Sequence, residues 1–489
     1  MGIARRGGNK TFNCMKKLLS VLIVYWSVVG CSINPATGKQ DFVLMSEAQE
    51  ISIGKKYHSQ IIQETQPYDN KDLQAYVQRI GDSLAKESHR PNLFYRFTVL
   101  DSADINAFAL PGGYIYINRG LMSYLSSEEE LAAVLGHEIG HVTARHSVRQ
   151  QSQSQLLGVI SAAIEMNSGQ SVGQLANIAS GALLSGYGRE MELEADDLGA
   201  QYMHVTGYSA QGMMSVLTVL KDQEVYSKEV AERRGQKATG YHGLFASHPS
   251  NDKRLKKILN EVKRTPIIKE KVMTTSYLDK INGMVFGDSE GAGVRRGSEF
   301  FHGSLDVYLS SPNDWEIVNT SNNLIFSSPQ GKAILRMSLE DLNFRETPQE
   351  YMRRISPDFY NGNKMNINNH EAFVALSKRS GKIFRLGVVF REKKVYQFVG
   401  YVKDNDYEID RFDDSFLQII KSFDNLDVRG RELSKSLRLK KYVTSESDSY
   451  KSLATESNIP FDAEQQLRLL NGDYPDKSLI VGKEIKLVE

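Results

Sequence analysis

A disulfide framework is excluded first, because the 489 residues hold only two cysteines, Cys14 and Cys31, and Cys14 lies in a stretch with the pattern of a cleaved signal. Stability must come from packing. An excess of charge of one sign is also missing: 60 basic and 59 acidic residues leave +1, which gives no reason to expect nucleic acid as a partner. No apolar run reaches the roughly 18 residues needed to cross a bilayer. The richest internal stretch, 155–185, is broken by Glu165, Asn167, Gln170, Gln174 and Asn177 and reads as a helical pair covering a cleft. No internal repeat is present.

What is there begins with a leader. Arg5, Arg6, Lys10, Lys16 and Lys17 precede the apolar run LLSVLIVYWSVVG, with no acidic residue before Cys31. Charge followed by a short greasy segment is the order of a secretory signal. Val28-Val29-Gly30-Cys31 resembles a bacterial lipobox, in which cleavage precedes a cysteine that receives lipid. Residues 1–30 are therefore expected to be a lipoprotein signal peptide, and Cys31 the lipidation site. Their removal leaves a net charge near −4. Met15-Lys16-Lys17 would make an equally good signal start. Ser32, rather than an aspartate, after Cys31 favours the periplasmic face of the outer membrane if the cell is Gram-negative.

The chain is too long for one ordinary core, so several domains are expected. Its texture is that of an α+β multidomain protein. Residues 31–45 read as a tether, and a capping serine, Ser46, with Gln49 three positions on opens the first helix. A mainly helical domain with a small β-sheet spans 46–265, and 266–299, rich in charge and glycine, reads as a linker. Strand-sized runs from VYLSS to KVYQFVGYV suggest a separate α+β domain at 300–425. Residues 440–489 read as a small βααβ unit.

The chemistry is concentrated in LAAVLGHEIGHVTARHSVRQ, residues 131–150. At about 100° per residue His137 and His141 share one helix face and can grip one ion, with Glu138 placed to act on a water there. His146, nine residues beyond His137, falls on the opposite face of a continuous helix and reads as solvated. A catalytic zinc usually has three protein ligands and an open position. In GYGREMELEADDLG, Glu192 and Asp196 are four apart on one face, whereas Glu190 and Glu194 point elsewhere. That stretch alone would be an acidic solvated helix. Beside the histidines, Glu192 becomes the third ligand and Asp196 a partner for a ligand ring N–H. Arg189, a turn before Glu192, is a further supporting residue.

HEIGH at 137–141, EADD at 194–197, and the stretches NPATGKQDFVLMSEAQEISIG, NAFALPGGYIYINRGLM and SHPSNDKR resemble the zinc metallopeptidase family of the CAAX prenyl endoprotease, HtpX and BepA. Together they cover about residues 33–260. The resemblance implies a zincin-type, gluzincin-like fold and one Zn²⁺ per chain on His137, His141 and Glu192. It also makes His248 a gate or transition-state contact and Arg254 its support. Residues 300–425 resemble PsbP-like domains, and 440–489 a LysM-like module that would bind peptidoglycan or serve only as structure.

The function expected is a zinc metalloendopeptidase of the bacterial cell envelope. Glu138 would serve as general base, and the substrates would be unfolded or misassembled envelope polypeptides. A non-proteolytic zinc-containing assembly scaffold and a peptidoglycan hydrolase are the alternatives.

Overall fold

The computed structural model describes residues 31–155, 187–233, 254, 276–320, 322–403 and 409–489. The expected leader, the 155–185 helical pair apart from its first residue, and His248 lie outside these described residues.

Strands β1 (Cys31–Ile33) and β2 (Gln40–Phe42) pair as an antiparallel hairpin. Asn34, at its bend, is buried and receives the N–H groups of Ala36 and Thr37 on its side-chain oxygen. The stretch expected to be a tether therefore begins as a hairpin joined to the domain. The reason is Asn34, which closes the turn and bonds to distant groups.

Helix α1 (Glu47–Glu64) starts where expected, with Ser46 and Gln49 forming a reciprocal capping box. Helix α2 (Lys71–Lys86) is capped by Asn70 and buries Leu73, Tyr76, Val77, Ile80 and Leu84, the spacing of a single apolar face. It packs on a three-stranded sheet of β3 (Arg96–Leu100), β4 (Ala107–Leu110) and β5 (Tyr114–Asn118), ordered β3-β5-β4. The outer edge of β3 is closed by side chains of α2. Gln74 exchanges bonds with the backbone of Val99, and Gln78 accepts from Phe97 N and donates to Tyr95 O. Among the described residues strand β4 pairs only with β5 and forms the other edge of the sheet.

After the short α3 (Arg119–Tyr124) comes α4 (Glu128–Thr143), capped by Ser127, which accepts from Glu130 N. Nearly all of α4 is buried, as a helix with apolar residues on every side should be. Helices α5 (Arg189–Val205) and α6 (Gln211–Arg233) pack against it.

The expected linker is structured where it is described. Helix α7 (Tyr277–Ile281) is docked by a bond from Tyr277 Oη to Met122 O, and Arg119 donates to the carbonyls of Val285 and Gly287. Strand β6 (Val285–Phe286) then joins the last sheet of the chain. Strands β7 (Val294–Arg296), β8 (Glu299–His302) and β9 (Val307–Ser310) form a small antiparallel sheet.

The strand-rich region is a seven-stranded antiparallel sheet, β10 (Glu316–Asn319), β11 (Leu324–Ser327), β12 (Ala333–Asp341), β16 (Lys394–Val402), β15 (Lys382–Arg391), β14 (His370–Arg379) and β13 (Tyr360–Ile367) in spatial order. Helices α8 (Pro348–Ile355) and α9 (Asp410–Lys421) contribute to its two cores, and α10 (Val428–Leu433) follows.

Residues from Leu437 onward run strand, helix, helix, strand: β17 (Leu437–Val443), α11 (Tyr450–Glu456), α12 (Ala463–Leu470) and β18 (Glu484–Val488). This unit is not independent. Leu467, Leu470, Ile485 and Val488 belong to the same buried cluster as Leu131, Leu135 and Ile139 of α4.

Lys486 seals that junction. Its buried ammonium donates to Leu125 O (2.6 Å) and faces Ser126 Oγ (3.3 Å), just ahead of α4. Burial depresses its pKa to about 7, against a partial counter-pull from the charge of Glu130. In the unfolded chain the lysine stays protonated up to its ordinary 10.5. Between about pH 7 and 10 the unfolded state thus binds more protons, and stability must rise with pH across that window. Thermal melts at fixed ionic strength should show this rise, and Lys486→Met should flatten it.

Candidate metal centre

His137 and His141 sit one turn apart on α4 with their Nε2 atoms 3.0 Å from each other. Glu192 arrives from α5, its Oε2 3.5 Å from His137 Nε2 and its Oε1 3.5 Å from His141 Nε2. One ligand atom from each of the three lies within 4.8 Å of the others, and all three residues are buried. Close approach of the two helices is what allows this. A Cβ built on Gly140 would stand 2.7 Å from Ala195 O, and one on Gly199 only 2.9 Å from the backbone of Gly136 and His137. Glycines on both helices let the backbones touch.

Each ring is held from behind. His137 Nδ1 lies 2.8 Å from Asp196 Oδ1. Asp196 is gripped by Arg254, whose Nε and terminal nitrogen each donate to it at 2.7 Å, while another terminal nitrogen is 3.0 Å from Glu192 Oε2. Burial opposes charge on His137, but the bonds and charges of Asp196 and Glu192 outweigh it and raise its pKa to about 9. Burial likewise acts to raise the Asp196 pKa, and Arg254 overrides it and holds the carboxylate ionised.

His141 is supported differently. Its Nδ1 is 2.8 Å from His146 Nδ1, and His146 Nε2 is 3.2 Å from Glu194 Oε2. His146 is fully buried, which overturns the solvated reading. The helix stops at Thr143, and Arg145 adopts φ 55°, so a new helical segment starts at His146 with the chain redirected towards His141. An unbroken helical wheel cannot describe that turn. Arg145 is kept there by bonds to Glu50 and to Met45 O. Glu194 also receives Arg149 (2.9 Å) and Asn34 (3.3 Å). Burial would raise the Glu194 pKa, but His146 and Arg149 pull it down to about 2. Burial lowers that of His146, so its ring is neutral near pH 7. Tyr187 stacks on His141 with ring centres 4.1 Å apart, and its hydroxyl is 2.6 Å from Ser147 Oγ.

Arg189, expected to support Glu192, is exposed at the first residue of α5, and among the described residues it has no bond to the three ligands. The sequence reading gives His146 and Glu194 no role at the site and does not single out Asn34 or Tyr187. Only the proximity of His146 to HEIGH hinted at them.

Glu138 is buried beside His137 and is not one of the three ligand candidates. Its charge acts on both Tyr187 and Arg254. Two imidazoles and one carboxylate, buried and buttressed, can hold a metal ion, and the N,N,O donor set fits a catalytic zinc with room for a further ligand. A small cavity lined by Glu50, Leu110, Pro111, His141, Arg145 and Val148 lies between the end of β4 and the turn that follows α4.

Residues 71–262 match the family model described as peptidase family M48. This segment is similar to M48 metallopeptidases. The M48 match takes in α2, the sheet, α4, α5 and Arg254, which are the elements that assemble the trio. The chain is 30% identical over 233 residues to the beta-barrel assembly-enhancing protease of Yersinia pestis, covering 45% of each chain. It is 31% identical over 170 residues to metalloprotease YcaL of Escherichia coli, covering 34% of this chain and 61% of that one. With the mitochondrial metalloendopeptidase OMA1 of Schizosaccharomyces pombe it shares 29% identity over 188 residues, 37% of this chain and 51% of that one. The chain spans about half the length of the curated relatives it matches. The solution structure of a cyanobacterial PsbP from Synechocystis overlays 28% of this chain and 94% of its own at 10% identity, with a TM-score of 0.22 that carries no weight for function. No helix among the described residues is long and apolar enough to cross a membrane.

Proposed function

We propose that the chain is a zinc-dependent endopeptidase of the bacterial cell envelope that cuts misfolded or unassembled envelope proteins. The observation that carries this reading is the buried His137, His141 and Glu192 trio, with Glu138 on the same helix. A zinc ion held there would polarise the scissile carbonyl and acidify water. Glu138 takes the proton from the attacking water and returns it to the leaving amine. Asp196 and Arg254 keep His137 oriented. Strand β4, the sheet edge nearest the trio, offers backbone groups to an extended substrate segment, which selects unfolded or looped polypeptide. The family resemblance makes His248 a candidate gate or transition-state contact.

A lipid on Cys31 would tie the protein to the membrane, at the periplasmic face of the outer membrane in a Gram-negative cell. Asn34 is fixed three residues on, and three extended residues span only about 10 Å. Such an anchor holds the peptidase close to the bilayer surface. Residues 440–489 are a candidate peptidoglycan contact, and 300–425 a PsbP-like accessory domain.

The test is hydrolysis of an unfolded envelope protein by the purified chain, with chelation and zinc repletion. Cleavage should stop on chelation and return with about one zinc per chain. A zinc-loaded chain that binds such substrates without cutting them would make it a scaffold. Release of muropeptides from purified sacculi would make it a peptidoglycan hydrolase.

A further inference from the structure

We infer that His146 and Glu194 are positioning residues for the metal ligand His141, and that the β1–β2 hairpin holds their carboxylate in place through Asn34. The inference rests on the zinc-site reading above and concerns how one ligand is prepared for the ion.

One polarity leaves His141 Nε2, the atom that faces His137 Nε2 and Glu192, with a lone pair for an ion. In it the His141 ring hydrogen sits on Nδ1 and is donated across the 2.8 Å contact to His146 Nδ1. His146 then carries its own hydrogen on Nε2 and donates it to Glu194 Oε2 at 3.2 Å, a carboxylate oxygen that also accepts from Arg149 at 2.9 Å. His137 is held more simply, since its Nδ1 lies directly against Asp196. The two ligand rings are thus set by different devices, one by a carboxylate alone and the other by a carboxylate acting through a second histidine.

The far end of the longer device is tied to the start of the described chain. Glu194 Oε1 accepts from Asn34 Nδ2 (3.3 Å), which also donates to Asp41 Oδ2 (2.8 Å). Arg149 joins Glu194 to Asp41, with contacts of 2.9 and 3.3 Å. Asn34 spans 160 residues to reach Glu194 while its own oxygen closes the hairpin turn. A buried asparagine with both ends of its amide engaged is a rigid strut. Glu194 lies only two residues from the ligand Glu192 on α5, so the same helix carries a ligand on one side and the support for another on its flank.

The test uses the full-length chain, purified metal-free, in four forms: wild type, His146→Ala, Glu194→Ala and Glu194→Gln, with Asn34→Ala as a fifth that leaves α4 and α5 untouched. Nitrogen-labelled histidine and long-range proton–nitrogen correlation spectra report which ring nitrogen of His141 carries the hydrogen. Wild type should show it on Nδ1. His146→Ala and Glu194→Ala should shift the population towards Nε2–H, whereas Glu194→Gln, whose amide oxygen still accepts, should retain much of the wild-type tautomer. Zinc affinity, read by competition with a chromophoric chelator, should fall about 10–100-fold in the two alanine variants, the usual cost of losing an outer hydrogen-bond partner, and by less in Asn34→Ala. If His146→Ala does not fold, Glu194→Ala and Asn34→Ala carry the same two readouts. Folded variants with the wild-type tautomer and wild-type zinc affinity overturn the inference. A wild type that binds no zinc overturns the site reading instead, and the metal-free spectra still decide the tautomer.

Discussion

Glu138→Gln is expected to slow peptide hydrolysis by about 10²–10⁴-fold, the usual contribution of a placed general base, while zinc content stays at the wild-type level. The residue is buried next to His137 and stands outside the trio whose atoms converge. Glutamine keeps its length and can still hold a water by a hydrogen bond, but it cannot accept the proton. The charge of Glu138 also falls on Arg254 and Tyr187, so its loss is an electrostatic change in a closed site rather than the opening of a cavity. Single-turnover cleavage of an unfolded protein, with metal content measured on the same sample, checks this. A variant that holds zinc and cleaves at the wild-type rate would remove Glu138 from the chemistry.

Gly199→Leu is the second change with a large expected effect, and it touches no ligand. Its new Cβ would lie 2.9 Å from Gly136 C and from His137 N. Those are backbone atoms of α4, which cannot rotate away as a side chain would. The helices must part, and Glu192 moves with α5 away from the two histidines. Overpacking of this kind costs about 1–3 kcal/mol of stability, and the larger effect should be on zinc binding, because a three-ligand site depends on convergence within a few tenths of an ångström. Gly188→Ala is the control, since a Cβ there meets nothing within 4 Å. Gly199→Leu should lose zinc retention on dialysis and Gly188→Ala should keep it. Equal retention would mean the glycine seam does not set the ligand distances.

The helical parts of the peptidase domain were legible because their signals are local. Ser46 with Gln49, the apolar face of α2 and the i, i+4 pairs His137/His141 and Glu192/Asp196 each lie within one or two turns of sequence. The strands after residue 300 were legible for the same reason, as their alternation is short-range, but the order in which they pair was not. His146 was misread because the reversal at Arg145 has no glycine to announce it. That conformation is imposed by Glu50, 95 positions away. Glu194 reads from its helix face as pointing away from the histidines, whereas it meets His146, 48 residues earlier in the chain. Arg254 entered only through the family resemblance. Its contacts with Asp196 and Glu192 span about sixty residues, beyond the reach of any periodicity.

The junction sealed by Lys486 bears on how the domain that carries the metal centre comes to be folded at all. The carbonyl it caps belongs to Leu125, 361 positions earlier. Loops that long close slowly, because the entropy of bringing the ends together is lost before the contact is made. The helix bearing HEIGH therefore acquires its full packing only after the βααβ unit has been made and has found its place, with the seven-stranded sheet looped out between them. During synthesis, the newly made segment bearing HEIGH lacks part of its own core until some three hundred further residues have followed. Full packing around the metal centre is thereby delayed until the regions after residue 300 are built.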